Sequence, residues 1–227
     1  IQSFEAALLA GQSMAGLFPA MVNCNLVSAQ FLQGRLRLAY SSCQSILSLA
    51  NESDQGSKGL PFYNHLYATM SLVQLEWNNL ESAIRFARDS VALSDQWHQA
   101  DSWQYTLSCL TRALCAAGNL EEAFAINQRA MQQAVHVSPY YFRLSACDEI
   151  WLNLAKGDIP KAVQRCAEIE PLMTDCEKRG MFLLVKSSLL YAQGCHAEIL
   201  SVLEEPLRDL EQGGANWYLI NLMLIQA

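Results

Sequence analysis

Gly118-Asn119-Leu120-Glu121-Glu122-Ala123 is one copy of a pattern that recurs along the chain. The copies are Gly34-Arg35-Leu36-Arg37-Leu38-Ala39, Asn78-Asn79-Leu80-Glu81-Ser82-Ala83 and Gly157-Asp158-Ile159-Pro160-Lys161-Ala162. A weaker one is Gly194-Cys195-His196-Ala197-Glu198-Ile199. Each position has a physical reason. Gly or Asn closes a helix by accepting left-handed backbone. The aliphatic residue two places on pins the turn into the core. Acidic residues (Glu81, Glu121, Glu122, Asp158) open the next helix, where the dipole favours them. Pro160 sits in a first turn, where its missing N–H costs little. The alanine five places on (Ala39, Ala83, Ala123, Ala162) lets two helices approach closely.

Successive anchors lie 44, 40, 39 and 37 residues apart, a drifting period near that of helix-hairpin repeats. The flanks agree. Leu66, Met70, Val73 and Trp77 form a helical stripe before the second anchor, and Trp103, Leu107, Leu110 and Leu114 form one before the third. Breakers separate the hairpins. Asn51 to Gly59 is polar, with Pro61 starting the next helix. Ser138-Pro139 reads as an N-cap followed by a first-turn proline, and Gln212-Gly213-Gly214 ends the fifth hairpin. The fold class is therefore all-α: a right-handed superhelical solenoid of about five to six tetratricopeptide-type hairpins, forming a single domain over 1–227. The hairpins span roughly 18–51, 61–96, 99–136, 139–173 and 177–212, with a partial one at 215–227. The fifth, with Ile199 at the small position and His196 at the aliphatic one, is expected to pack less regularly. Neither terminus carries a start or stop signal, so the chain reads as a fragment of a longer protein, and the apolar surface of its cut last helix opens a route to artificial self-association.

With 52% hydrophobic and 16% charged residues the chain is too apolar to be disordered, yet no run approaches a membrane span. A net charge of −7 disfavours nucleic-acid and membrane-surface contact. The eight cysteines form no CxxC pair and fall in apolar helical patterns, as reduced core residues of a cytoplasmic protein do. His65, His98, His136 and His196 lie far apart, so no metal site is expected. No phosphate loop or nucleophile motif is present, and no catalytic residue is expected. The adjacent carboxylates of Asp148-Glu149 and Glu204-Glu205 diverge on a helix and read as solvated surface.

The string from Leu75 to Ala83, continued by Ala87-Arg88 and Ala92-Leu93-Ser94, resembles the hairpins of MalT-like, LuxR-type bacterial transcription regulators. So do Tyr191 to Leu200 and the stretch from Gly34-Arg35-Leu36 to Leu49-Ala50, and the resemblance covers the chain from about Pro19 onward. It implies a sensor domain within a larger bacterial activator. Such proteins carry an ATP-binding STAND-class switch in a separate domain, so no cofactor is expected here, and a C-terminal DNA-binding helix-turn-helix. The sensor binds an inducer or a regulatory protein, and inducer with ATP drives self-association and activation. The other reading is a general tetratricopeptide scaffold gripping a peptide or protein.

In a curved stack of hairpins the first helices line the concave side. Counting back from each anchor selects Arg112, Tyr105, His65, Glu76, Trp151 and Tyr191 as the candidate ligand-binding residues. Phe31, Leu72, Ser108, Leu144, Cys147, Met181 and Ser188 share their registers. Aromatics with isolated polar groups suit a small effector or an amphipathic helix. The competing readings are hairpin core for Trp77, Trp103 and Trp151, and a simple ion pair for Arg112 and Glu76.

Overall fold

The computed structural model describes residues 17–52, 62–97, 100–173 and 176–226. Among these residues it is entirely helical, with eleven α-helices, one short 3-10 turn and no strand. The helices are α1 (Leu17–Leu32), α2 (Leu36–Glu52), α3 (Tyr63–Glu76), α4 (Leu80–Trp97), α5 (Ala100–Ala116) and α6 (Leu120–Val137). Then come α7 (Pro139–Lys156), α8 (Ile159–Ile169), the 3-10 turn (Glu170–Leu172), α9 (Cys176–Ala192), α10 (His196–Gln212) and α11 (Asn216–Gln226). Asn51 and Glu52 belong to α2, whereas the rest of the polar stretch to Gly59, Pro61 and His98 lie outside the described residues.

Every anchor has left-handed backbone: φ is 74° at Gly34, 57° at Asn78, 77° at Gly118, 79° at Gly157 and 75° at Gly194. A side chain resists this conformation, and the asparagine is the residue type after glycine that tolerates it best. The turns close with paired bonds. Gly157 N–H donates to the Leu154 carbonyl (3.0 Å) and Asp158 N–H to that of Asn153 (2.8 Å). Asp158 then caps α8, its carboxylate accepting from Lys161 N–H at 3.3 Å. Ser138 caps α7 in the same way, accepting from Tyr140 N–H at 3.2 Å. Ala39, Ala83, Ala123 and Ala162 are completely buried. In the fifth hairpin Ile199, at the position of those alanines, is only 2% exposed. The α9–α10 pair takes a branched side chain where the others take a methyl.

The helices fall into two compact units, 1–117 and 118–227. In the first, α2 packs on α1 and α3, and α4 packs on α3 and α5. Cys24, Val27, Cys43, Leu47, Leu66 and Met70 form its core, with Tyr40, Tyr67 and Phe86 packed against them. Burial pushes the Cys24 thiol up to about 12, and its Sγ donates to the Phe62 carbonyl at 3.1 Å. Burial likewise raises Cys43, so both behave as small apolar residues. The cysteines whose side chains are described are all free thiols.

Apolar packing is not all that joins these helices. Asn64 Nδ2 donates to Ser94 Oγ at 2.6 Å, and Ser90 Oγ donates to the Asn64 carbonyl at 2.7 Å. The Ser94 and Thr106 hydroxyls lie 3.3 Å apart. Ser71 Oγ donates to the Ala83 carbonyl at 2.8 Å. A buried polar seam thus runs through α3, α4 and α5, and each partnered group fixes helix register as apolar contacts do not.

In the second unit α7 packs on α6 and α8, while α9 packs on α7, α10 and α11. Arg165 of α8 holds three helices together. Its Nε lies 2.9 Å from a Glu149 carboxylate oxygen, its Nη1 is 2.9 Å from Glu168, and its guanidinium sits 5.4 Å from the Phe142 ring centre. Its Nη2 reaches Met131 Sδ of α6 at 3.9 Å. The Arg165 hydrogen bond, with Gln164 adding to it, holds the exposed Glu168 carboxyl below its usual range. The Asp148-Glu149 pair is accordingly not solvated surface, since Glu149 serves this ion pair and Asp148 is 1% exposed.

Candidate functional site

Each unit has its own candidate face, made by the first helices of its hairpins: α3 and α5 in the first unit, and α7, α9 and α11 in the second. One register sets it. His65, Tyr105, Leu144 and Met181 each lie 13 residues before the anchor of their own hairpin. Equal offsets put such residues side by side when first helices pack on one another.

In the first unit this brings two of the expected residues together. The His65 imidazole stacks on the Tyr105 ring with centroids 5.5 Å apart, and its Nε2 lies 2.9 Å from Ser102 Oγ. Desolvation lowers the imidazole to about 4, so it is neutral at physiological pH. The pair forms a platform rather than a charge. Glu76 is exposed at the end of α3, and Arg112 is half-buried in α5. Phe31, Leu72 and Ser108 are buried, so those registers serve helix packing. Of the competing core readings, Trp77 is 38% exposed with its ring 5.3 Å from that of Tyr40. Trp103 is half-buried and donates from Nε1 to Asp95 at 2.6 Å.

In the second unit an open hollow of about 30 Å³ lies among residues of α7, α9 and α11 and Met173. Leu144, Cys147, Met173 and Met181 form its apolar lining. Tyr140, Tyr218 and Arg143 supply its polar atoms. Arg143 is half-buried, and its Nε has no hydrogen-bond partner. Gly180 sets the wall opposite: a methyl group there would meet the Tyr218 ring at 2.8 Å, so that ring lies flat on bare helix backbone. Trp151 is half-buried in α7. Tyr191, 60% exposed, packs edge-on against His196 with centroids 5.2 Å apart. Of the expected residues, His65 and Tyr105 stack on one another within the first unit. Arg143, Tyr140 and Tyr218 were not singled out. The available signal was Arg143 next to the Leu144 register, though apolar periodicity passes over an arginine.

A wider cavity of about 330 Å³ opens between α9 and α10, with Phe182 and Leu183 at its floor. Glu170 and Lys186 form an ion pair on its wall. Pro206 interrupts α10 beside it, and lacking an N–H, leaves the Val202 carbonyl without a helical donor. Burial raises the neighbouring Cys166 thiol to about 11, with Glu170 adding to the shift and Lys186 opposing it. No group of His, Cys, Asp or Glu able to hold a metal occurs among the described residues.

The family model described as the MalT-like TPR region matches residues 1–227. No curated protein matches the chain.

Proposed function

The chain belongs to the MalT-like tetratricopeptide family, and we propose that it is the effector-sensing domain of a transcription activator of that kind. As a member of the family it is a regulatory sensor or scaffold domain; the finer assignment concerns what it senses. In this reading a small-molecule inducer binds on the first-helix face of the second unit and shifts the protein toward self-association and transcription activation. ATP binds elsewhere in the longer protein. The domain itself performs no catalysis, acts in the bacterial cytoplasm and does not contact DNA. No described helix is long and apolar enough to cross a membrane. The apolar face of α11, where Ile220, Met223 and Leu224 are 51%, 54% and 70% exposed, offers a surface for association.

The observation that carries the inducer reading is Arg143: a half-buried guanidinium with no carboxylate partner among the described residues, beside a hollow lined by apolar and phenolic side chains. A partly buried guanidinium is stabilised by an anionic partner, and here the protein supplies none among the described residues. A thermal-shift screen of sugars, organic acids and other small metabolites tests the reading, because a ligand that binds only the folded state raises the melting temperature. One saturable stabilising metabolite supports it. Tight binding of a peptide, with no shift from any small molecule, replaces it with the scaffold reading.

A further inference from the structure

We propose that the hollow between α7, α9 and α11 receives the carboxylate of a small monocarboxylic acid, gripped by Arg143 between the rings of Tyr140 and Tyr218. This rests on the effector-sensing reading and names the ligand's chemical class.

Two arginines in one unit make the argument. Arg165 shows what a structural arginine looks like in this protein, with Glu149, Glu168 and the Phe142 ring all against its guanidinium. Arg143 has none of this. It is half-buried, and no carboxylate pairs with it among the described residues; the Nε of each arginine is buried without an aligned hydrogen bond, so the missing carboxylate is what separates them. A guanidinium stays charged in any protein environment, so the position cannot be relieved by losing a proton. An anion is the partner that suits it, and the planar fork of the guanidinium matches a carboxylate.

Size narrows the class. A single water needs about 10–15 Å³ of such space, and the hollow holds about 30 Å³. That suits the two oxygens of one carboxylate, with the lining of Leu144, Met173 and Met181 against the atoms that adjoin it. Those side chains are apolar, and methionine adapts to irregular shapes, so the adjoining atoms are apolar too. A dicarboxylate would bring a second charge to a lining with no second cation, on a chain of net charge −7. The walls are fixed. Gly180 lets the Tyr218 ring settle on α9, and Tyr140 follows the Ser138 cap that starts α7.

The test uses the whole chain with benzoate, phenylacetate and isovalerate as probes, followed by ligand-detected NMR and calorimetry. Benzamide is the neutral counterpart, and inorganic phosphate the competing anion. At least one carboxylate is expected to bind saturably. Removing a charged hydrogen-bond donor typically weakens binding by about 10- to 100-fold, and that loss is expected for Arg143→Gln. A smaller loss is expected for Arg143→Lys, and none for Arg35→Gln, which changes an exposed arginine in the other unit. If Arg143→Gln does not fold, Arg143→Lys and Gly180→Ala, which displaces the Tyr218 wall, carry the test and should both weaken binding. Three results overturn the proposal: unchanged carboxylate binding in the folded Arg143 variants, benzamide binding as tightly as benzoate, or phosphate displacing the acids at equal concentration. If no carboxylate binds but a neutral metabolite stabilises the chain, the carboxylate assignment falls and the effector-sensing reading stands. If only a peptide binds, both fall.

Discussion

Replacing His65 with glutamine should make the first unit less sensitive to acid. The imidazole packs against Tyr105 and faces the Ser102 hydroxyl, and desolvation lowers it from 6.5 to about 4. In the unfolded chain it returns to its ordinary value, so the unfolded state takes up the proton first as pH falls. Stability contributed by the neutral ring is thus complete above the unfolded value. It is lost as pH drops from 6.5 toward 4 and changes no further below that. The full shift is worth about 3 kcal/mol at roughly 1.4 kcal/mol for each pH unit. Between about pH 7 and about pH 5 the loss is about 2 kcal/mol. His65→Gln keeps a polar group able to reach Ser102 and removes the titration.

Urea unfolding followed at several pH values in that window measures the effect. The wild-type curve should fall by those ~2 kcal/mol more than the variant's. Carboxylates contribute equally to both chains and cancel in the difference. Proton NMR of the His65 ring supplies a direct check, because in the folded chain it should not titrate until well below its ordinary value. Parallel pH curves for the two chains, or a His65 resonance titrating near 6.5, would refute the burial argument.

Three further substitutions probe the turns and the packing. Gly157→Ala should cost about 1–2 kcal/mol in urea unfolding: φ is 79° there and a methyl group would touch nothing within 4 Å, so backbone strain acts alone. Asn64→Ala removes the bonds to Ser94 and to the His65 N–H while Ser90 keeps its backbone acceptor. It should cost about 2–3 kcal/mol, whereas a loss under about 0.5 kcal/mol would show the seam to be replaceable by water. Gly180→Ala forces the Tyr218 ring away from a 2.8 Å clash. It should destabilise the chain by about 1–3 kcal/mol, with faster amide exchange in α11 than in α7.

How far these features could be read from the residues depends on what each position must do. The anchors were legible because a left-handed turn admits so few residue types, and Gly34, Asn78, Gly118, Gly157 and Gly194 all have positive φ. The alanines were legible because close helix approach excludes larger groups, yet Ile199 shows that rule bending where a pair of helices takes more volume. The polar seam was not legible. Asn64, Ser90, Ser94 and Thr106 look like surface residues in a pattern of apolar stripes. Only the pairing of α3, α4 and α5 reveals that each finds its partner inside.

The candidate site divides along the same line, for one physical reason. Register fixes where a side chain starts, and so His65 stacks on Tyr105, and Leu144 and Met181 line one hollow, each pair one hairpin interval apart. It does not fix what that side chain finds there. One residue earlier, 14 before their anchors, come Asn64 and Gln104 in the first unit and Arg143 and Gly180 in the second. The Asn64 amide is satisfied by Ser94 on the second helix of its own hairpin. Arg143 sits in the equivalent place, but its Nε finds no acceptor. Gly180 extends no side chain toward the gap, and the Tyr218 ring enters from α11 instead. The same backbone position thus serves the core in one unit and opens a hollow in the other. A repeat keeps its turns and its small contact residues because the stack requires them. Register positions whose partners the stack leaves unspecified are therefore the ones free to take on a ligand, and Arg143 occupies one of these.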